Sequence, residues 1–561
     1  MRTRGLMAIL LSIGCAASSP SSGTLKPAPA SPQSQRLAQL RDAALDQWHA
    51  DDPAFARFLG LHEFDGRIPD FTEAGIKAQY ARLHRFLDEL ATIDTSALSP
   101  DDALDAALLK SQAEQTLFRG EDMDDWEKSP RFYADIFSVH VYVDHDYAPL
   151  EIRAQQLLQH EKAGLAAVPN IRANLKGPLA KTVVELSIKI FRGYATDLRN
   201  TIAMLLKGIG SPEFQAEFAR TNEALAKEAD ALADWLKTEQ LPRADDSYVL
   251  GTERYAKLLR VQEGLIIPLA RFKQMGLDNL HRDQLAYEEL HGKVRDTKPT
   301  AEQLLPVGQT FVTDAHDFVL SHHIATLPTE DPAIVREAPP FRRFNPAFID
   351  RPGPFEKQAT TAYYYINKPD PAWPQAQQDG YLPTYGGLSA MTTHEVYPGH
   401  FLQGQWWTRA PTRTQKSINS YSFSEGWAHY AEQLMIEEGF HADDPQYKLG
   451  QVTMALQRDC RFLASVGLHA EGMTLEQAEK LFMDECHQDK GNAHEQAVRG
   501  TIDPGYFAYT LGKIEILALR EEVKSKLGAR FSLRGFHDAL LSHGAPPVPL
   551  IHDRVLAELT R

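Results

Sequence analysis

Cysteine is scarce in this chain: Cys15, Cys460 and Cys486 are the three present in 561 residues. That count excludes a small scaffold built on disulfides. Positive charge is also in deficit. Lys and Arg number 59 against 75 Asp and Glu, a formal net charge of −16, which argues against nucleic acid or an anionic membrane surface as the main partner. Long apolar runs are missing too. The early run Leu6 to Ile13 is too short to cross a bilayer as a helix, and neither a second hydrophobic span nor an internal repeat follows it. What is present is ordinary for a globular protein, 43% hydrophobic and 24% charged, in a chain too long for one small core.

The first residues carry more information. Arg2 and Arg4 precede the apolar run, and Gly14 and Cys15 follow it. A basic start, a short apolar segment and a small residue before the break form a secretory signal. Cys15 after Gly14 resembles a bacterial lipoprotein signal, in which that cysteine becomes the lipidated first residue; Ser12 stands where a large aliphatic residue is usual. Export is therefore expected, to the periplasm or as a lipoprotein attached to the outer membrane, with the anchor as the sole membrane contact. Residues 16–36, rich in Ser, Pro and Ala, read as a flexible linker. A helical lobe over 37–300 and a catalytic lobe over 301–561 complete the expected order.

From about Leu37 the pattern is helical. Phe214, Phe218, Leu225, Ala229, Leu232 and Leu236 recur at 3.6-type spacing, and Glu151 to Ala163 and Glu302 to Ser321 behave alike. Packing between helices explains these stripes. Ile324 to about Pro383 breaks the habit with frequent Pro and Gly, and Tyr363, Tyr364 and Tyr365 lie in a β-like run. A small sheet is expected there, with the three tyrosines either packed within it or forming an edge strand that pairs with an extended peptide. Cys460 and Cys486 fall in separate predicted helices; a disulfide and two buried thiols both fit.

Two runs carry the chemistry: Thr393-His394-Glu395-Val396-Tyr397-Pro398-Gly399-His400 and Ser424-Glu425-Gly426-Trp427-Ala428-His429-Tyr430-Ala431-Glu432. Two His and a later Glu are a ligand set for catalytic zinc, and a Glu beside the first His is where a general base sits. His394 and His400 are six apart, about 600° on an unbroken helix, so they cannot share one face unless Pro398 and Gly399 kink it. Glu425, His429 and Glu432 share a helix face at i, i+4 and i+7. Glu425 is the expected third ligand, and His429 and Glu432 are expected to orient the ligands. Glu395 would take a proton from the attacking water. Capping boxes are the competing explanation, because Thr392 precedes Glu395 by three residues and Ser422 precedes Glu425 by three. A third run, Arg499 to Lys513, offers Arg499, Tyr506 and Tyr509 as donors to an oxyanion, with packed core aromatics as the alternative.

His-Glu-x-x-Pro-Gly-His, Glu-Gly-Trp-Ala-x-Tyr-x-Glu and Arg-Gly-Thr-x-Asp-Pro-x-Tyr-x-x-Tyr-x-x-Gly-Lys resemble the bacterial family catalogued as domain of unknown function 885. The likeness begins near Phe58-Leu59-Gly60-Leu61-His62 and Ile68-Pro69-Asp70 and runs through Thr326-Leu327-Pro328 to the C-terminal tyrosines. It implies a mainly α, two-lobed metallopeptidase-like architecture with a small sheet beside the active-site cleft. It also implies one Zn2+ per chain on His394, His400 and Glu425, with Glu395 as base. His469 matches a family position without an assigned role. The leading expectation is an exported zinc peptidase of the oligopeptidase or carboxypeptidase type that cleaves short peptides. A zinc hydrolase of another amide or ester, and a peptide-binding lipoprotein without catalysis, are the alternatives. His and carboxylate ligands also accept other divalent metals.

Overall fold

Where helices start is set by local chemistry. The Ser211 hydroxyl accepts from the Phe214 N–H, Pro212 occupies the first turn, and the helix Pro212–Trp235 buries Phe218, Leu225, Ala229 and Leu232 on one face. Burying a side chain of the Leu or Phe kind contributes about 1.5–3 kcal/mol, so the stripe outweighs the weak propensity of any one residue. The stripe Glu151 to Ala163 falls within the helix Leu150–Asn174, and that from Glu302 to Ser321 covers the helix Leu304–Ser321, which starts two residues later than expected. A computed structural model describes residues 31–338, 346–358 and 361–561 in this way. The signal segment, Cys15 and most of the linker lie outside the described residues.

The fold is mainly α, as expected, with one small sheet in the predicted segment. Its strands are β1 (Ala333–Glu337), β2 (Ala347–Asp350) and β3 (Ala362–Ile366), in the order β1-β3-β2. β3 pairs in parallel with β1, Tyr364 opposite Val335, and antiparallel with β2, Tyr364 opposite Ile349. This corrects the edge-strand reading of Tyr363, Tyr364 and Tyr365. They lie in the central strand, whose backbone groups are engaged on both sides, and no peptide can add there. Tyr364 is fully buried, and Arg336 stacks 3.8 Å from the Tyr363 ring.

Apolar packing divides the described residues into several clusters. One, spanning Phe71 to Leu236, is wholly N-terminal. A second joins the helices Thr252–Glu263 and Leu269–Leu290 to Pro445–Ala470 and to Tyr506, Phe507 and Tyr509. A third holds the sheet, the helices that carry His394 and Glu425, and the C-terminal helices. The second cluster crosses residue 300, so packing places Thr252–Leu290 with the C-terminal half. Cys460 and Cys486 are bonded to each other, which fastens the helix Pro445–Ala470 to the segment after Leu475–Asp484. Among the described residues no helix is long and apolar enough to cross a membrane.

A cavity of about 2440 Å³ opens between the N-terminal helices and the C-terminal half. Arg57, Arg131 and Lys189 line one side, and Asp350, Met391, Tyr421, Arg461 and Arg499 line the other. Ordinary small-molecule pockets hold roughly 300–1,000 Å³, so this cleft has room for an extended chain.

Candidate metal centre

The helix Tyr385–Glu395 starts at Thr384, whose hydroxyl accepts from the Gly387 N–H, and it ends on the His394-Glu395 pair. The break between the two histidines is complete rather than a kink. Val396 to Gly399 form a turn with a cis Tyr397–Pro398 bond, and His400 opens a new helix, His400–Trp407. Gly399 makes this return possible: a Cβ there would lie 1.8 Å from the His394 carbonyl oxygen. The turn is pinned from the facing helix, Tyr421–Glu437, because the Trp427 indole N–H donates to the Pro398 and Gly399 carbonyls at 2.8 and 3.3 Å.

Glycines also set how closely the supporting helices approach. A Cβ on Gly426 would meet Gly512 Cα at 2.4 Å, and one on Gly386 would meet the Gln446 carbonyl oxygen at 2.1 Å. Backbone contact of this kind fixes helix positions more tightly than flexible side chains do. Neither capping box forms. Ser420 caps the Glu425 helix, Ser422 lies inside it and donates to Glu263, and the Thr392 hydroxyl bonds the Leu388 carbonyl. That leaves Glu395 and Glu425 available for other work.

The three expected ligands converge. His394 Nε2 lies 3.3 Å and His400 Nε2 3.5 Å from Glu425 Oε2, and the donor atoms all fall within 4.8 Å of one another. Glu425 Oε2 is buried yet has no well-aligned hydrogen bond. Separations of this size are long for hydrogen bonds. They match the edge of a tetrahedron of ligands about 2.0–2.1 Å from a central ion, which is about 3.3–3.4 Å. Electrostatics point the same way. Burial works against charge on Glu425, but the imidazoles of His400 and His394 hold its carboxyl well below the usual range. Burial likewise opposes charge on His394, yet Glu425 and Glu432 push its pKa up to about 9. The pocket favours a positive charge where the donors meet, and the donor set suits a divalent ion.

Behind this set, Glu432 Oε1 lies 2.6 Å from His394 Nδ1 and 2.8 Å from an Arg458 Nη2. This contact fixes the His394 ring with Nε2 toward Glu425 and the donor cluster. His429 does not share that role through a hydrogen bond. Both its ring nitrogens lack partners, its Nδ1 is 3.7 Å from Glu432, and burial pushes its pKa down to about 3.

Glu395 is half-buried and accepts from the Ile349 N–H of β2 at 3.0 Å. Burial raises its pKa, while His394 and His400 pull it down. Its position couples the sheet to the donor cluster. Of the proposed oxyanion donors, Tyr506 is fully buried and its hydroxyl donates to Gln496, which removes it from that role. Tyr509 accepts from Arg499 at 3.1 Å, so its own proton stays free to donate. Arg458 ties the groups together, with its Cζ 5.9 Å from the Tyr509 ring and its Nη2 3.3 Å from His394 Nδ1. His469 is structural: its ring nitrogens lie against the Tyr248 and Gly500 carbonyls at 3.1 and 2.8 Å.

Sequence reasoning missed Arg458, Trp427 and Ile349. A signal for Arg458 existed, since it and Asp459 are charges on the buried side of a helix whose neighbours Ala455, Leu456 and Phe462 are core residues. Met391 and Tyr421, each about one turn before a metal-binding candidate, line the cavity, whereas His394, Glu395, His400, Glu425 and Tyr509 lie behind its lining.

Fold and donor set together define a mainly helical protein with a cluster of His-His-Glu donor groups near a large cleft. The chain belongs to the family described as bacterial protein of unknown function (DUF885), which matches residues 53–555. It is similar to the solved structure of a candidate lipoprotein of unknown function from Shewanella oneidensis, with TM-score 0.75 and 23% identity over 93% of this chain and 99% of that one. A candidate lipoprotein from Colwellia psychrerythraea gives TM-score 0.76 and 19% identity over 94% and 99% of the two chains. Likeness at these identities shows the fold. No curated protein matches the chain.

Proposed function

We propose that this protein is an exported zinc-dependent hydrolase that cleaves short peptides. The observation carrying this reading is the convergence of His394, His400 and Glu425 around one buried, unsatisfied carboxylate oxygen. A zinc ion on those three donors supplies Lewis acidity toward a carbonyl and lowers the pKa of water at the site. Glu395, next in sequence to His394, accepts the proton of the attacking water and returns it to the leaving amine. The Tyr509 hydroxyl, held by Arg499, donates to the oxygen that gains negative charge. Glu432 and Arg458 keep the His394 ring in register. The length of the cleft favours an extended peptide over a small amide or ester. Membership in a family with lipoprotein-like relatives, the leader-like N-terminus and the Cys460–Cys486 bond support export.

The test pairs elemental analysis with a quenched peptide library. Wild type should carry zinc and cleave, and His394→Ala should lose both. Glu395→Gln should keep the metal and lose about 10²–10⁴-fold in turnover, the usual worth of a positioned base. Undiminished cleavage by Glu395→Gln would sink the mechanism. Absence of both metal and cleavage in wild type would leave a peptide-binding lipoprotein.

A further inference from the structure

The cleft wall beside Tyr509 carries guanidinium groups that form no ion pair among the described residues, with the Asp503 carboxylate near enough to act on Arg131 and Arg499. Arg461 is 8% exposed; its Nε donates to Gln496 at 2.9 Å and its Nη2 to Gln457 at 3.4 Å, both uncharged amides. Its Cζ lies 5.0 Å from the Tyr506 ring and 4.9 Å from the Tyr509 ring. Arg499 donates to the Tyr509 hydroxyl and stacks 5.1 Å from Tyr506, and it too lacks an ion-pair partner. Arg131 reaches the same cavity from the N-terminal half, and among the described residues its guanidinium makes neither hydrogen bond nor ion pair. It is exposed to the cavity, yet the surrounding walls desolvate it enough to lower its pKa; like charges on Arg119 and Arg499 add to the effect, and Asp503 and Asp125 oppose it.

The nearby acids are committed elsewhere. Asp125 pairs with Arg119 at 2.9 Å, and Asp503 accepts from the Tyr421 hydroxyl at 3.0 Å and from the Gly505 N–H at 3.1 Å. Asp503 offsets part of the repulsion among these cations, and stacking on Tyr506 and Tyr509 offsets a further part. In a chain of net charge −16, such a wall is a local inversion of sign. Arg461 and Arg499 are anchored on aromatic rings with guanidinium groups facing the cleft, the arrangement that suits bidentate recognition of a carboxylate.

We propose that Arg131, Arg461 and Arg499 form a subsite for a carboxylate carried by the bound peptide, either its C-terminus or an acidic side chain. The inference deepens the peptidase reading and rests on it for the identity of the ligand as a peptide. Placed next to Tyr509, which contacts Arg499, the subsite would hold a free C-terminus close to the reacting centre. The enzyme would then trim peptides from that end.

Binding decides this without turnover. Chelator-treated protein is titrated calorimetrically with acetyl-tetraalanine, with its C-terminal amide, and with an amidated analogue carrying one Glu. The free acid should bind about 10–100-fold more tightly than the neutral amide, the worth of a charge-assisted hydrogen bond of about 1.5–3 kcal/mol. The Glu peptide identifies the source: tight binding assigns the subsite to a side chain, and weak binding assigns it to the terminus. Arg131→Gln, which breaks no contact within the protein, should abolish the discrimination. Lys298→Gln, a cavity cation bonded to the Asp379 carbonyl, should preserve it. Equal affinity for the acid, the amide and the Glu analogue overturns the proposal, and so does equal loss in the two variants, which would mean a diffuse field rather than a subsite. Because the protein is metal-free here, failure of the metallopeptidase reading would show in the zinc and cleavage assays and not in this one.

Discussion

Two histidine–carboxylate clusters flank the cleft, and their compositions are nearly the same. At one, His394 lies between Glu425 and Glu432. At the other, His62 lies between Glu356, 2.9 Å from its Nε2, and Asp65, 3.4 Å from its Nδ1. Burial opposes charge on both rings, the carboxylates outweigh it, and both pKa values rise to about 9. The difference is in where the lone pairs aim. At His62 each nitrogen has its own carboxylate, Asp65 also accepts from the Tyr147 hydroxyl at 2.8 Å, and the ring stacks 3.4 Å from Tyr147. Every partner is used. At His394 a second imidazole enters, three donors from three helices face one point, and a buried carboxylate oxygen is left over. Residue type and perturbed pKa do not separate a candidate metal site from an ion-pair clasp; unspent convergence is what sets the His394 cluster apart.

The largest effect that would break this comparison is loss of metal from the wrong cluster. Glu425→Ala should reduce bound zinc from about one per chain to none by elemental analysis, and Glu356→Ala should leave it whole. Metal loss in Glu356→Ala would mean that the His62 cluster also binds an ion, and the distinction would fail. A smaller effect sharpens it. Glu432→Gln keeps the size of the side chain but weakens its hold on His394 Nδ1, so zinc affinity should fall about 10–100-fold in competition with a chromophoric chelator. His429→Gln, which removes no hydrogen bond to a ligand, should leave that affinity unchanged. Equal losses in the two variants would show that the whole buried face, rather than Glu432, positions the ring.

These contrasts trace what was legible in the chain. His394, His400, Glu425 and Glu432 could be picked out because they fall in two short runs of sequence, although three helices carry them, and the helical stripes were readable because their spacing is local. Tyr363 to Tyr365 were readable as a strand but not as the central one of the sheet, since strand order depends on β1 and β2, whose register partners lie 13 or more residues away, the nearest being Asp350 opposite Tyr363. Arg458 was hidden because its partners Glu432 and Tyr509 come from other helices. Pairing of Cys460 with Cys486 stayed open because helix docking, not spacing, brings the two together. His62 stood in a recognisable motif, yet nothing local announced Glu356, 294 positions away.

The His62 clasp supplies the last and smallest contrast. It joins the segment after the Pro53–Phe58 helix to the loop following β2, at a point where a Cβ on Gly353 would lie 2.3 Å from the Leu59 carbonyl carbon. Charge on His62 is stabilised in the folded state, with a pKa of about 9 against an unfolded value near 6.5. A raised folded pKa stabilises the protein fully below the unfolded value, and that contribution disappears as pH climbs through the folded one. His62→Gln should therefore cost on the order of 2 kcal/mol below pH 6.5 and progressively less toward pH 10, read as the difference in denaturant unfolding free energy from wild type. The same series on His394→Gln is expected to change course when zinc is added, because a bound ion replaces the proton there, whereas zinc should not alter the His62 series. A His62→Gln deficit that stayed constant from pH 6 to 10 would assign the clasp to ring packing on Tyr147 instead of charge. The two clusters would then differ in electrostatics as well as in geometry.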